Sequence, residues 1–205
     1  MKIAVVGGTG DFGANLAARL VEAGQDVVVG SRDAERAKST ASELGAAGAA
    51  NADAVHGAEL VVLAVKAEAA LATATELADA IGSTPVLSVA SALRFTKAGV
   101  FPGDDERSLA ERTQELLAGP VVAGLHSLAA ATLAGGRADG DALVCGDDDA
   151  AKQLALELAS HVISGRALDA GPLASARALE GLTAVIVNLN KRYRIHAGVR
   201  VTGLA

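Results

Sequence analysis

The segment that decides the fold reads Gly7-Gly8-Thr9-Gly10-Asp11-Phe12-Gly13. It has the spacing G-x-G-x-x-G, it follows the β-branched run Lys2–Val6, and it precedes helical spacing over 15–23. Glycines without a Cβ let the backbone turn sharply and approach a pyrophosphate, whose charge the first helical N–H groups attract. A tight turn without a ligand is the alternative, but strand, spacing and helix together favour a dinucleotide site. We therefore expect the motif to contact a cofactor through Gly8, Thr9, Gly10, Asp11, Phe12 and Gly13.

The end of the second predicted strand, at 26–30, indicates which dinucleotide binds. An NAD-specific protein carries an acidic residue there, about twenty positions after the turn, to bind the ribose hydroxyls. This chain has Ser31 and Arg32 instead, and Arg36 follows one helical turn later. A guanidinium can bind a 2′-phosphate in a planar fork, whereas an acid would repel it. The pattern predicts NADP(H), with Asp33 as a helix cap; a solvated surface stretch is the alternative.

Predicted strands and helices alternate along the chain. The strands are expected at Lys2–Val6, 26–30, 60–65, 85–90, 121–125 and 142–145, with another short strand hidden in 45–50. The helices are expected at 15–23, 34–44, Ala67–Ile81, 109–117, 149–163 and 173–194, with a loop at 91–108. This alternation predicts an α/β protein with a Rossmann-like, doubly wound parallel sheet. We expect a dinucleotide-binding domain at 1–125 and a small, mostly helical C-terminal domain at 126–205.

The composition argues against several classes of function. A net charge of −6 and a pI of about 5.2 disfavour nucleic acid as a partner, because phosphate backbones call for a basic surface. Cys145 is the only cysteine and the four histidines are scattered, so neither a disulfide nor a metal site is predicted. No apolar run is long enough to span a bilayer, and no leader peptide precedes the fold. We expect a cytoplasmic protein that binds neither membranes nor nucleic acids.

Strand ends supply further candidates, because ligands in open α/β sheets bind at the carboxyl ends of the strands. The ends of the strands at 60–65 and 85–90 are expected to line the nicotinamide through Ala64, Val65, Lys66, Ser88 and Ala90. Lys66 could donate a proton or bind a substrate, although a plain surface lysine is an equal alternative. His126 follows the strand at 121–125, where both a structural and a functional role are open.

The predicted final helix carries two features whose roles the sequence leaves open. An apolar stripe is formed by Val185, Ile186 and Leu189. It either packs within its own chain or contacts a second chain in a dimer. A basic cluster near the end of the helix contains Lys191, Arg192 and Arg194. These cations either offset the helix dipole or meet a polyanionic substrate.

Segments spread over nearly the whole chain resemble one family. They are Gly7-Gly8-Thr9-Gly10-Asp11-Phe12-Gly13, Val29-Gly30-Ser31-Arg32, Val144-Cys145-Gly146-Asp147-Asp148-Asp149, Leu168-Asp169-Ala170-Gly171-Pro172-Leu173 and Leu179-Glu180-Gly181-Leu182-Thr183. Together they are similar to the NADPH-dependent coenzyme F420 reductases, also called F420H2:NADP oxidoreductases. The later segments are the more specific part, because many Rossmann proteins share the glycine turn.

The resemblance implies a Rossmann domain with a small C-terminal domain, usually in a homodimer. It also implies hydride transfer between the nicotinamide C4 of NADP(H) and the C5 position of coenzyme F420, a deazaflavin co-substrate. By the same resemblance, the NADP-contacting positions include Thr9, Ser31, Arg32 and Arg36. The segment expected to lie against the deazaflavin supplies the substrate-binding residues His126, Ser127 and Leu128.

Three functions stay open at the level of sequence. The first is the deazaflavin reductase, in which two cofactors carry the reactivity and no catalytic acid–base pair is needed. The second is an NADP-dependent reductase of a small carbonyl or imine, with Lys66 or His126 as proton donor. The third is a non-catalytic NADP(H)-binding protein. The lack of an evident acid counts against the second, and the C-terminal resemblance counts against the third.

Overall fold

The computed structural model describes residues 1–204, and at its centre is a sheet whose inner strands are buried. The strands are β1 (Lys2–Val6), β2 (Asp26–Ser31), β3 (Ala47–Ala50), β4 (Leu60–Leu63), β5 (Val86–Ser88), β6 (Leu93–Thr96), β7 (Gly99–Pro102), β8 (Val121–Gly124), β9 (Ala142–Gly146) and β10 (Ala167–Asp169). The helices are α1 (Asp11–Glu22), α2 (Ala34–Leu44), α3 (Asn51–Ala54), α4 (Ala67–Ile81), α5 (Leu109–Gln114), α6 (Ala130–Ala134), α7 (Asp149–Val162) and α8 (Ala176–Tyr193). A 3₁₀ turn at Leu173–Ser175 precedes α8.

The main sheet has eight strands in the order β10-β9-β8-β5-β4-β1-β2-β3. β1 lies inside it, with parallel neighbours β2 and β4 on its two sides. The chain therefore winds outward from β1 in both directions, as in a doubly wound Rossmann-like sheet. This confirms the predicted fold class and puts the glycine turn at the edge of the sheet where ligands bind.

One pair of strands departs from the predicted parallel sheet, because β8 and β9 run antiparallel. The expectation that all strands are parallel is wrong here, since residues 125–141 do not cross the sheet. Their short helix α6 packs on α1 instead, where the Asn15 side-chain amide donates to the Ala130 carbonyl at 3.1 Å. The chain therefore enters β9 at the edge where β8 ends.

Residues 91–108 were predicted as a loop, and this is also wrong, because they contain the antiparallel hairpin β6–β7. The Thr96 hydroxyl closes the turn by donating to the Gly99 carbonyl at 3.0 Å. Gly99 has a φ of 141°, a conformation that favours glycine. The side-chain amide of Asn188 in α8 bonds to both backbone groups of Val100, which anchors the hairpin to the last helix.

The ends of α2 and α4 agree better with what the sequence predicts. α4 spans the predicted residues, and Gly82 follows it with a φ of 56°. Asp33 caps α2 as expected, since its carboxylate accepts from the N–H groups of Glu35 and Arg36. α3 and β10 were not predicted, because elements of four and three residues carry no readable periodicity.

Helices cover both faces of the sheet and produce two buried clusters. On one face α1 and α7 contribute side chains such as Leu16 and Leu158. On the other face α4, α5 and α8 contribute side chains such as Leu77 and Leu179. Both clusters contain residues from before and after position 125, so the division into two domains at that position stays a prediction. Within the 204 described residues, no helix combines the length and the apolarity needed to cross a bilayer.

Candidate active site

The glycine turn joins β1 to α1 with little room for side chains. Gly7 has a φ of 79°, and a Cβ there would lie 2.8 Å from the Ala64 carbonyl oxygen. A Cβ on Gly13 would lie 2.5 Å from the Gly7 carbonyl oxygen, so α1 can approach the turn only without one. The Gly8 N–H donates to the Gly30 carbonyl at 2.9 Å and ties the turn to β2. The backbone itself therefore requires these glycines.

Gly10 differs from Gly7 and Gly13 because a Cβ there would have space around it. A Cβ there would meet only the Gly7 carbonyl oxygen, at 3.5 Å, and Gly10 is the N-cap of α1 without a side-chain cap. The first N–H groups of a helix have no partner inside the helix. The first turn of α1, at 11–13, therefore presents donors and the positive end of the helix dipole beside bare backbone. This arrangement fits a pyrophosphate.

A cleft of about 750 Å³ opens beside the turn. Many of the predicted site residues line it: Thr9, Gly10, Ser31, Arg32, Arg36, Ala64, Val65 and Lys66. Sequence reasoning missed a further set in its wall: Gly7, Asp33, Asn51, Ala69 and Thr73. Other motif residues shape the turn without lining the cleft: Gly8, Asp11, Phe12 and Gly13. The volume suits a cofactor, since ligand sites typically measure about 300–1,000 Å³.

The corner of the cleft at the end of β2 carries two cations. The Arg36 guanidinium donates to the Thr9 carbonyl at 3.2 Å, which holds it beside the glycine turn, and Arg32 is exposed on the cleft wall. The Ser31 hydroxyl accepts from the Asp33 N–H at 3.2 Å. Because the Asp33 carboxylate is occupied as the cap of α2, this acid does not replace the missing ribose-binding acid. The corner fits a phosphate monoester.

Asn51 is a cleft residue with an unmet hydrogen-bonding capacity. Its Oδ1 is buried and has no partner within residues 1–204. Asn51 begins α3 directly after β3, and a Cβ on Gly30 would lie 2.9 Å from that oxygen. Buried acceptors normally have a partner, and a donor on a ligand in the cleft would satisfy this one. The carboxyl end of β3 could have indicated Asn51, but the bland sequence of β3 hides where it ends.

The ends of β4 and β5, predicted to line the nicotinamide, differ in exposure. Lys66 occupies the N-cap position of α4 and lies in the cleft wall beside Ala64 and Val65. Ser88 and Ala90 are buried instead, and the Ser88 hydroxyl has no partner within residues 1–204. The structure therefore brings the end of β4 into the cleft wall, but it does not bring Ser88 and Ala90 there.

A chain of hydroxyl groups joins His126 to two other elements. Ser91 Oγ lies 3.1 Å from His126 Nδ1 and 2.8 Å from Thr183 Oγ1. Thr183 in turn donates to the His126 carbonyl at 2.9 Å. Ser91 follows β5, His126 follows β8, and Thr183 belongs to α8, so these bonds close the carboxyl edge of the sheet against the last helix. Ser91 and Thr183 were not predicted as site residues, because no local pattern marks them.

These bonds fix the tautomer of His126. Because the Thr183 hydroxyl donates to a carbonyl, its oxygen accepts from the Ser91 hydroxyl. The Ser91 oxygen then accepts from the imidazole, so Nδ1 carries the proton and Nε2 does not. Burial lowers the pKa of His126 to about 4, which keeps the ring neutral near pH 7. Nε2 is buried and has no partner within residues 1–204, so it is a neutral acceptor.

The backbone around His126 turns sharply. Leu125 has a φ of 64°, which is uncommon for a residue other than glycine, and such conformations concentrate at functional sites. The Ser127 hydroxyl donates to the Asp141 carbonyl at 3.4 Å, so it points into the fold. Leu128 packs against the core cluster of α1 and α7. Of the three predicted substrate-binding residues, only His126 keeps a side-chain polar atom without a partner in the described chain.

A second cavity, of about 390 Å³, lies at the C-terminal ends of α1 and α7. Its cations are used within the chain: Arg19 pairs with Glu22 at 2.6 Å, and Arg137 donates to the Ser160 carbonyl at 2.8 Å. Helix C-termini also carry negative partial charge, which disfavours an anion there. Among residues 1–204 no three His, Cys, Asp or Glu side chains are grouped as metal ligands. The cleft beside the glycine turn is therefore the candidate active site.

Three features identify a Rossmann-type dinucleotide-binding protein. They are the sheet that winds outward from β1, the glycine turn and the cationic corner of the cleft. A family profile described as "NADP oxidoreductase coenzyme F420-dependent" matches residues 2–92. The F420-dependent NADP reductase of Methanothermobacter marburgensis is 38% identical, in a match covering all of this chain and 99% of that protein. The F420-dependent NADP reductase of Methanothermobacter thermautotrophicus is 36% identical, with 100% and 96% covered.

A solved structure extends the similarity to the fold. The crystal structure of a candidate F420-dependent NADP reductase from Arthrobacter sp. FB24 matches with a TM-score of 0.83 and 28% identity, and the match covers 100% of both chains. The chain belongs to the F420-dependent NADP reductase family. This confirms the resemblance found in the sequence, including its C-terminal part, which lies beyond the residues matched by the family profile.

Proposed function

We propose that this chain transfers a hydride between NADP(H) and the deazaflavin coenzyme F420. The observation that carries the proposal is the 38% identity, over the whole chain, to a relative named as an F420-dependent NADP reductase. Full-length similarity matters because it includes the region of His126 and α8. A shared Rossmann fold alone would not require that region to be similar, since one fold hosts many functions.

NADP(H) is proposed to occupy the cleft beside the glycine turn. The bare backbone of Gly10 and the first turn of α1 receive the pyrophosphate. Arg32 and Arg36 bind the 2′-phosphate, and the Ser31 hydroxyl, which accepts from a backbone N–H, keeps its own proton to donate to it. The buried Oδ1 of Asn51 accepts from the adenosine part. The nicotinamide follows along Ala64, Val65 and Lys66, with Ser88 and Ala90 supporting this end from within the fold.

Coenzyme F420 is proposed to lie against the wall formed by His126 and α8. Nε2 of His126 accepts a hydrogen bond from a ring N–H, and the neutral tautomer cannot offer a proton in return. Ser127 and Leu128 act indirectly, because their bonds and packing hold the segment that carries His126. This assignment is supported by the sequence match of that segment and by the unpartnered nitrogen at its centre.

The redox chemistry belongs to the nicotinamide and deazaflavin rings themselves when both substrates are bound. The residues of this chain bind the two rings, orient them for contact and exclude water from between them. His126 orients without acting as an acid, since burial keeps its imidazole neutral. A protein that only aligns two reactive rings needs no catalytic acid–base pair.

A direct assay mixes the protein with NADPH and oxidised coenzyme F420 and follows the loss of deazaflavin absorbance. We expect turnover that requires both substrates. Tight NADPH binding without turnover would instead favour the non-catalytic NADP(H)-binding protein. Absence of both binding and turnover in a folded sample would overturn the cofactor assignment as well.

A second candidate function is the NADP-dependent reduction of a small carbonyl or imine. One observation favours it: Lys66 lies in the cleft wall, where it could act as a proton donor. General acid catalysis contributes about 10²–10⁴-fold to a rate, so a Lys66→Met variant should lose that factor if the lysine is the acid. With NADPH and coenzyme F420, we expect any loss in the same variant to appear in KM for NADPH, with no drop of that size in kcat, because Lys66 would then only line the cofactor site.

We further propose that the protein works as a cytoplasmic homodimer whose partners are these small redox molecules. The family resemblance supports the dimer. So do the half-exposed Val185 and Leu189, since their stripe is not fully buried within its own chain, whereas Ile186 is buried there. Gel filtration with light scattering on the full chain tests the dimer, and fractionation of the producing cells tests the compartment.

A further inference from the structure

Lys66 occupies a helix position that does not suit its charge. It is the N-cap of the 15-residue helix α4, and its side chain makes no capping hydrogen bond. Residues with a short side-chain oxygen, such as Ser or Asp, are preferred at an N-cap because they accept from the first helical N–H groups. The N-terminus of a helix also carries positive partial charge, which disfavours a lysine. Lys66 therefore destabilises the start of α4, and helix structure gives no reason for it.

No carboxylate of the described chain compensates for this charge. Within residues 1–204 Lys66 is in no ion pair. Glu68 lies two positions further along α4, and residues two apart on a helix do not face each other. Lys66, Ala69 and Thr73 instead line the cleft beside the glycine turn. Their spacing of three and four puts them on one side of the helix, so the first two turns of α4 face the cleft.

The start of α4 lies directly beside the glycine turn. The Ala64 N–H donates to the Val6 carbonyl at 2.9 Å. A Cβ on Gly7 would lie 2.8 Å from the Ala64 carbonyl oxygen and 2.8 Å from Val65 Cγ1. Lys66 is the next residue, so the N-termini of α1 and α4 flank the same part of the cleft. The lysine adds a full positive charge to two partial ones.

The charged residues of the cleft wall form two groups. Arg32 and Arg36 lie beyond the end of β2, and Lys66 lies beyond the end of β4, with β1 between the two strands. Because neighbouring strands lie about 4.8 Å apart, the strand ends that carry the two groups are about 10 Å apart. In the part of the chain that the structure describes, Asp33 is the only acid of the wall, and it is occupied as the cap of α2. Two separate anionic groups on one ligand would match this arrangement.

An independent observation indicates that this cleft holds a polar ligand. Asn51 lines the same wall and is only 9% exposed, and its Oδ1 has no partner within residues 1–204. Buried polar atoms normally have a hydrogen-bond partner. The unmatched charge of Lys66 and the unpartnered oxygen of Asn51 therefore point to the same occupant from two sides.

We propose that Lys66 binds the pyrophosphate of NADP(H) and completes, with the N-terminus of α4, the site that the glycine turn begins. The proposal rests on NADP(H) as the occupant of the cleft. A lysine carries its charge on a flexible four-carbon stem, so the backbone of Lys66 can lie along the nicotinamide while the ammonium group reaches the pyrophosphate. NADPH and NADH share the pyrophosphate, so Lys66 strengthens the binding of both, whereas the Arg32 corner distinguishes between them.

The first test is the equilibrium binding of three ligands to Lys66→Met. We expect the affinities for NADPH and NADH to fall by the same factor, about tenfold, because one charge-assisted bond is lost. Adenosine 2′-monophosphate has no pyrophosphate and should bind as it does to the wild type. Lys66→Arg should restore most of the dinucleotide affinity, because it keeps the charge.

Lys97→Met is the matched control for the loss of one positive charge. Lys97 is also exposed, and it follows β6 outside the cleft wall, so all three ligands should bind to this variant as to the wild type. A loss confined to NADPH in Lys66→Met, or unchanged binding of both dinucleotides, would overturn the proposal. A wild type that binds neither dinucleotide would instead overturn the cofactor assignment itself, so the two failures are distinguishable.

The second test separates cofactor binding from a structural role of Lys66. A serine at this position can cap α4, so the unfolding midpoint of Lys66→Ser without ligand should be higher than that of the wild type. Its NADPH affinity should nevertheless fall by about tenfold, as in Lys66→Met. Opposite changes of this kind are expected where a residue serves a site and not the fold. A lower midpoint together with weaker binding would assign Lys66 a structural role and contradict the proposal.

Discussion

The cleft beside β1 comes largely from one short stretch of sequence, whereas the wall around His126 comes from three distant ones. In the first region, the strand, the glycine turn and the start of α1 are consecutive. In the second, Ser91, His126 and Thr183 meet only because β5, β8 and α8 are packed together. In the first region, backbone geometry limits which residues can replace the glycines. The second depends on burial and on one chain of hydrogen bonds.

The difference teaches where sequence motifs are informative. A backbone that must approach a phosphate needs glycine at fixed spacing, and this need is visible in any single sequence. A buried imidazole needs only neighbours with matching donors and acceptors, and these can come from anywhere in the chain. Substitutions in the two regions should therefore have different effects. Those in the glycine turn should disturb the backbone and NADPH binding, and those at His126 should change how stability depends on pH.

The largest expected effect is that of Gly13→Ala in the glycine turn. Its Cβ would lie 2.5 Å from the Gly7 carbonyl oxygen, so α1 has to move away from β1. Overpacking of this kind costs up to about 3 kcal/mol of stability, and we expect NADPH affinity to fall by more than about a hundredfold. Denaturant titration and fluorescence titration with NADPH measure the two effects.

Gly10→Ala is the matched control for that change. Its Cβ meets the chain only at 3.5 Å, an ordinary contact, so the midpoint of unfolding should not change. NADPH affinity should still fall, by about tenfold, because the methyl group stands where the pyrophosphate approaches. If Gly10→Ala bound NADPH as the wild type does, the turn would not be the phosphate site.

The second prediction concerns His126 and the pH dependence of stability. Its folded pKa, about 4, lies below the unfolded value of 6.5 because the ring is buried. The unfolded chain therefore takes up a proton first as the pH falls. The His126 contribution to stability is complete above pH 6.5, decreases between pH 6.5 and about 4, and amounts to about 3 kcal/mol in total.

His126→Asn removes the ionisable ring and so isolates the pH-dependent contribution of His126 to stability. The amide nitrogen of the introduced asparagine can still donate to Ser91. Unfolding free energies of both proteins should be measured from pH 4 to 8. We expect the difference between them to vary with pH in that window and to be constant above it. Parallel curves would mean that His126 is protonated in the folded state or solvated, and the tautomer assigned here would be wrong.

The third and smallest effect is that of Arg32→Ala on cofactor choice. A charge-assisted bond to a phosphate contributes about 1.5–3 kcal/mol, so NADPH affinity should fall by about ten- to a hundredfold while NADH affinity is nearly unchanged. Lys38→Ala is the control, because Lys38 pairs with Glu35 on α2 and does not line the cleft. Equal losses for the two dinucleotides in the Arg32 variant would refute the 2′-phosphate site.

Much of the fold could be predicted because its long elements carry strong local signals. The glycine turn, Asp33 as a cap and α4 with its following Gly82 are all local features, and all three are present. Short elements were missed: the hairpin in 91–108 is held by its packing on α8, and tertiary contacts of that kind override composition. The antiparallel β9 was missed for a similar reason, since nothing local shows that α6 packs on α1.

The candidate site was predicted unevenly for the same reason. Arg32 could be anticipated because its distance from the turn is set by one βαβ unit. Asn51 was missed because the bland sequence of β3 hides where that strand ends, and Thr73 was missed because it reaches the cleft only through the packing of α4. Ser88 was expected in the cleft wall, but the strand end on which it lies is buried. A strand end indicates an edge of the sheet and does not say which side chains are exposed there.

The central claim, that one cleft aligns two rings for direct hydride transfer, is tested most directly with NADPH deuterated stereospecifically at C4. Coenzyme F420 is reduced with each of the two deuterated stereoisomers in turn, and the product is analysed by mass spectrometry. We predict that one stereoisomer delivers its deuterium to C5 of the reduced deazaflavin and that the other does not. Loss of the deuterium to water, or equal transfer from both stereoisomers, would contradict a single aligned geometry.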